Sequence, residues 1–152
     1  MQIRKVLYVC TGNVFRSPVA AEMTKQLLGD PNVIVESAGI LEYKGNPLPQ
    51  DVIELAKRYG IDLSTHRPKQ LNAKLVEAAD LILVFDRKQV GELTEKYPNA
   101  RNKTYTIKNY AGIYDGKDME DLWNKPTEVF ESHIRELRLY LEKCVKRIKT
   151  QR

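Results

Sequence analysis

Cysteine is scarce in this chain: its 152 residues hold only two, Cys10 and Cys144. A disulfide scaffold or a zinc site needs several at characteristic spacings, so neither is expected and each thiol is judged by its own surroundings. Long hydrophobic runs are also missing. No apolar stretch approaches the roughly 20 residues of a membrane-spanning helix, and the segment after Met1 lacks the basic, apolar and small-residue regions of a secretory leader. A cytoplasmic protein with no membrane partner is the expectation. Internal repeats and low-complexity linkers are absent too, which points to one domain over residues 1–152, with 42% apolar residues to build its core.

Charge of one sign is only in mild excess, 25 Lys and Arg against 20 Asp and Glu, a formal net charge of +5. That favours anionic partners without naming one. Much of the excess (Lys143, Lys146, Arg147, Lys149 and Arg152) decorates a helical pattern and is the usual composition of a solvated face. With no nucleic-acid reader motif beside it, a nucleic-acid partner is not expected.

What is present is an alternation of strand and helix patterns. Residues 3–9 are short, β-branched and mostly apolar, and end at a loop containing Gly12 and Asn13. From Ser17-Pro18, the residues Val19, Ala20, Met23, Leu27 and Leu28 recur at helical spacing, with Gly29 as the stop. A second strand spans 33–37, a helix containing Val52, Leu55 and Ala56 closes at Gly60, and residues 71–79 form a short helix. Residues 81–85 are too continuously apolar for a strand with one wet face and belong at the sheet centre. A polar helix over 87–97, a strand over 104–107 and a long amphipathic helix over 127–148 complete the chain. Such alternation predicts an α/β fold of three layers, a parallel sheet with helices on both faces and a ligand site beyond the carboxyl ends of the strands.

Between the first strand and first helix lies Cys10-Thr11-Gly12-Asn13-Val14-Phe15-Arg16-Ser17, the position where these folds receive phosphate. Gly12 and Asn13 are the residue types that most readily take positive φ, so the loop can turn backbone N–H groups inward around an anion. Arg16 adds a planar, bidentate clamp. Those donors and the helix N-terminus favour the thiolate form of Cys10, and Ser17 can hydrogen-bond it as it leaves. The alternative is a buried apolar thiol beside a surface arginine. A nucleotide loop of the Gly-x4-Gly-Lys-Ser/Thr type is absent.

At these residues the chain resembles the low-molecular-weight protein tyrosine phosphatase family, whose loop is close to Cys-x-Gly-Asn-x-x-Arg-Ser-Pro. Ser37-Ala38-Gly39, the run from Gly60 to Arg67 and Ala79-Asp80-Leu81-Ile82-Leu83-Val84 look like further family landmarks in the same order. The resemblance implies a four-stranded parallel sheet with helices on both sides, a cysteine nucleophile, no metal or cofactor, and phosphorylated proteins or peptides as substrates, with phosphate or vanadate as site ligands. It makes the loop residues Thr11, Gly12, Asn13, Val14, Phe15, Arg16 and Ser17 the phosphate cradle, and His66 a structural residue. Asp86 becomes either a support of the loop or a strand-terminating surface carboxylate. Phe15 stands where many relatives carry a second loop cysteine. His133, in the last helix, is expected to be solvated.

The family's proton donor sits in an Asp-Pro pair before the last helix, and no Asp-Pro occurs here. The stretch from Asp121 to Phe130 nevertheless matches without a gap if Leu122 stands at the proline, which makes Asp121 the acid, with Asp115, Asp118 and Glu120 as rivals. The same match puts Trp123 on one wall of an aromatic substrate and Tyr43 on the opposite wall, core packing being the alternative for both. Relatives that dephosphorylate arginine tend to carry Thr where Val14 stands, and tyrosine phosphatases tend to carry Ile. Phosphotyrosine is therefore favoured, with phosphoarginine as the alternative. Thiol-linked arsenate reductases share the cradle but need two further cysteines, and only Cys144 remains here, in a packing position. From another class, a non-catalytic phosphate-binding module would keep the cradle and have lost the acid at Leu122.

Overall fold

A computed structural model describes residues 2–122 and 124–151. Four parallel strands, β1 (Lys5–Cys10), β2 (Ile34–Gly39), β3 (Leu81–Val84) and β4 (Thr104–Thr106), form a sheet in the order β2-β1-β3-β4. The helices are α1 (Arg16–Leu28), α2 (Gln50–Arg58), α3 (Ala73–Ala78), α4 (Arg87–Lys96), the short α5 (Ile107–Tyr110) and the long α6 (Thr127–Lys149). The expected α/β architecture is therefore observed, with β1 and β3 as the inner strands. Chain order reverses between them, since β2 lies on one side of β1 and β3 on the other. The crevice beyond their carboxyl ends is the switch point where open parallel sheets bind ligands.

Strand alternation sorts the core into two clusters. Val6, Tyr8 and Cys10 of β1 join the cluster that holds buried residues of α1, α2, α5 and α6, whereas Leu7 and Val9 face the cluster that includes Val76 of α3 and Leu93 of α4. All four residues of β3 are buried, as its unbroken apolar run requires. Among the described residues, no helix is long and apolar enough to cross a membrane.

Helix ends follow local chemistry. Gly29 ends α1 in the left-handed region at φ 58° and donates its N–H to the Lys25 carbonyl, a role glycine fills without a Cβ clash. Two local expectations change. Residue 107 does not extend β4; the Thr106 side chain instead accepts from the Asn109 N–H and starts α5. His133 is 3% exposed rather than solvated, because it falls on the inner stripe of α6 beside Phe130, Ile134 and Leu137.

Leu137 is fully buried in the cluster that joins α6 to the sheet. Leu137→Ala is expected to cost about 2–5 kcal/mol of unfolding free energy, measured by urea denaturation, because the close-packed core relaxes only partly around the void.

Candidate active site

Cys10 ends β1 and is paired in register with Gly39, the last residue of β2. Beyond that pair the strands continue as a brace: Ile40 N–H donates to the Cys10 carbonyl at 2.9 Å and Leu41 N–H to the Thr11 carbonyl at 2.9 Å. A Cβ on Gly39 would lie 2.9 Å from the Gly12 carbonyl carbon and 3.0 Å from both the Asn13 nitrogen and the Thr11 oxygen. Glycine at 39 therefore lets the loop backbone lie directly against β2.

The loop turns at Asn13, whose φ is 56°; Gly12, the other residue suited to that region, does not use it. Asn13 is fully buried and every polar edge of its side chain is engaged. Nδ2 donates to Ser17 Oγ at 2.8 Å and Ser37 Oγ at 2.9 Å, and Oδ1 accepts the Lys69 N–H at 3.0 Å. Its carbonyl oxygen is 2.7 Å from His66 Nε2, which gives His66 the structural place expected for it. This network holds the Asn13 N–H toward Cys10 Sγ at 3.2 Å, and Ser17 Oγ lies 3.0 Å from the same sulfur. α1 starts at Arg16, so its N-terminus also points its free backbone donors at the loop.

Cys10, Thr11, Gly12, Val14, Phe15 and Arg16 line a cleft of about 700 Å³ whose other walls include Tyr43, Asp51, Asp121, Leu122, Lys125 and Phe130. Thus the loop, one expected aromatic wall and the expected acid share one space. Tyr43 donates its hydroxyl to the Asn46 carbonyl, which fixes the ring along the wall. Trp123, the other expected wall, lies outside the described residues.

Each of the three rival carboxylates has a basic partner. Asp115 accepts from Lys108 Nζ with both oxygens at 2.9 Å, and Asp118 accepts from the Arg87 backbone N–H at 3.1 Å and Nε at 3.2 Å. Glu120 pairs with Lys125 at 3.9 Å. None of the three lines the cleft. Leu122 is 6% exposed and belongs to the core cluster with Met119, so apolar packing anchors the segment on either side of Asp121.

Asp86 takes a third role, neither direct support of the loop nor a plain surface charge. It caps α4 in a reciprocal box with Gln89, accepting the Gln89 N–H at 2.8 Å. Gln89 is the residue that reaches the loop: Oε1 accepts the Phe85 N–H at 2.9 Å while Nε2 donates to Thr11 Oγ1 at 3.3 Å. The S/T/D-x-x-E/Q spacing of Asp86 and Gln89 was visible in the sequence as a capping signal; the contact with Thr11 was not. Cys144 lies in the core, where burial pushes its thiol up to about 12, the state of an inert packing residue rather than a redox partner.

The sheet order and a loop at the switch point with backbone donors turned inward define the class: an α/β protein with an anion-binding site. The model of the family described as low molecular weight phosphotyrosine protein phosphatase matches residues 5–152, and the chain belongs to that family. It is 34% identical over 145 residues, 95% of either chain, to the low molecular weight protein-tyrosine-phosphatase Ptp of Acinetobacter johnsonii. It is 32% identical over 149 residues, 97% of either chain, to the protein-arginine-phosphatase of Geobacillus stearothermophilus. Among solved structures, Vibrio vulnificus Wzb in complex with benzylphosphonate superposes with a TM-score of 0.82 at 33% identity, covering 95% of this chain and 99% of that chain.

The glycine contact gives a direct test of the brace. Gly39→Ala is expected to lower kcat/KM for an aryl phosphate by roughly tenfold to a hundredfold, because its Cβ meets backbone and displaces the loop by a fraction of an ångström. Gly12→Ala should be milder, since its Cβ meets the Tyr43 ring at 3.1 Å, a side chain that can swing.

Proposed function

We propose that this phosphatase hydrolyses phosphotyrosine in proteins through a phosphocysteine. Cys10 Sγ attacks phosphorus in line, so that an S–P bond forms as the bond from phosphorus to the tyrosyl oxygen breaks. Asp121 gives a proton to that departing oxygen, which would otherwise leave as a poor phenoxide. Loop N–H groups and the guanidinium fork of Arg16 hold the equatorial oxygens, whose charge they offset in the transition state. Water then attacks the phosphocysteine and passes a proton back to Asp121. The S–P bond breaks, inorganic phosphate is released, and the returning thiolate is received by Ser17 Oγ and the Asn13 N–H.

The observation that carries this reading is the cysteine sulfur lying within hydrogen-bond reach of Asn13 N–H and Ser17 Oγ, in the same cleft as Asp121. Cys10→Ser is expected to abolish turnover while inorganic phosphate or vanadate still binds, as measured by calorimetry. Asp121→Ala should slow turnover most for substrates with poor leaving groups. The assignment of the acid is wrong if Asp118→Ala shows that dependence and Asp121→Ala does not.

Preference for tyrosine rests on the apolar Val14 and the ring of Tyr43 along the cleft, which suit a flat aromatic group and offer no hydroxyl at position 14 to orient a guanidinium. A second reading, phosphoarginine, is favoured by the 32% identity to the Geobacillus arginine phosphatase. Assayed side by side, phosphotyrosine peptides should be turned over with the higher kcat/KM; the reverse order would transfer the assignment to arginine.

A further inference from the structure

Among the described residues, two buried side-chain polar atoms have no hydrogen-bond partner in the protein: Arg16 Nη1 and His133 Nε2. They belong to neighbours. Arg16 Cζ lies 5.2 Å above the centre of the Phe85 ring, and the His133 ring is centred 6.0 Å from that same ring. His133 also lies 6.2 Å from Phe15, the residue before Arg16. Burial, reinforced by the Arg16 charge, pushes the imidazole down to about 3, so His133 is neutral at physiological pH.

Chemistry pairs the two atoms. A guanidinium carries donors only, while a neutral imidazole has one bare nitrogen that accepts. Leaving either group unmatched in the core costs a full desolvation penalty, and the low-dielectric setting makes a hydrogen bond between them correspondingly strong. A fork that grips two phosphate oxygens uses one edge of the guanidinium, and the edge behind it needs a partner from the protein. Packing alone gives no reason for histidine, since the neighbouring inner positions of α6 are filled by Ile134, Leu137 and Leu141.

We propose that His133 is a positioning residue for Arg16: as the Nδ1–H tautomer it turns the Nε2 lone pair toward Arg16 Nη1, accepts its hydrogen bond directly or across one water, and holds the fork facing the cleft. The inference rests on the clamp role given to Arg16 above. It extends the site from the loop into the buried face of the last helix.

The test compares His133→Leu, His133→Gln and Arg16→Ala by vanadate affinity, kcat and KM for an aryl phosphate, and thermal midpoint. His133→Leu should weaken vanadate binding and lower kcat/KM by about tenfold, the worth of one hydrogen bond to a charged group, with a modestly lower midpoint because Arg16 Nη1 then stays buried without an acceptor. His133→Gln, whose Oε1 can accept in the same place, should recover most of that loss, which a packing defect would not. Wild-type vanadate affinity and kcat/KM in His133→Leu would overturn the inference, as would a loss that glutamine fails to relieve. Arg16→Ala separates the two levels: if it keeps wild-type vanadate affinity the clamp itself falls, and if it loses affinity while His133→Leu does not, only the role of His133 falls. Should His133→Leu not fold, the imidazole nitrogen shifts of the unmodified enzyme decide the matter, a proton on Nε2 being incompatible with the proposal.

Discussion

A left-handed asparagine buried beneath a sulfur is the constraint on which the rest of this site depends. Asn13 holds a backbone conformation that a side-chain-bearing residue adopts only at a cost. It does so with its amide saturated by Ser17, Ser37 and the Lys69 N–H, and its carbonyl met by His66. These partners come from α1, β2 and the segment before α3, so the loop is fastened to three separate parts of the chain. The consequence is a peptide N–H directed at Cys10 rather than at solvent. Preorganised donors of this kind need no rearrangement when charge develops, which is the main electrostatic advantage a protein site has over water.

The sheet supplies the platform for that fastening. Cys10 and Gly39 finish adjacent strands in register, and the missing side chain at Gly39 brings the loop backbone against β2. On the other flank, the capping box of Asp86 and Gln89 ends β3 and starts α4 while lending one amide proton to Thr11. A device that looks purely structural at a helix N-terminus therefore also braces the cradle. α6 has a comparable double character: its inner stripe closes the core on one face of the sheet, and the start of that stripe, Phe130 and His133, stacks around Phe15 and Phe85 beside the guanidinium.

The stretch from Met119 to Leu122 is held without a proline. Proline stiffens a loop by fixing φ. Here Leu122 buries its side chain in the core with Met119 instead, so the segment is held by apolar contact. Of the four candidate carboxylates, Asp121 is the one that lines the cleft.

Much of this was legible in one dimension because it depends on local periodicity and on a contiguous loop. The alternation of strands and helices, the buried run of β3, the stripe of α6 and the eight residues from Cys10 to Ser17 are each read from neighbours in sequence, and the structure forms these elements within a few residues of expectation. The segment from Asp121 to Phe130 could be matched only through family resemblance, since nothing local distinguishes Asp121 from Asp118 or Glu120. Contacts between remote residues were beyond reach. That Gln89 meets Thr11, that Lys69 offers its N–H to Asn13, and that His133 turns inward against Phe15 and Phe85 are decided by how helices seat on the sheet, a rotation of one residue on α6 being enough to put that imidazole in water. Local pattern determines which elements form; three-dimensional packing alone determines which polar atoms meet between them.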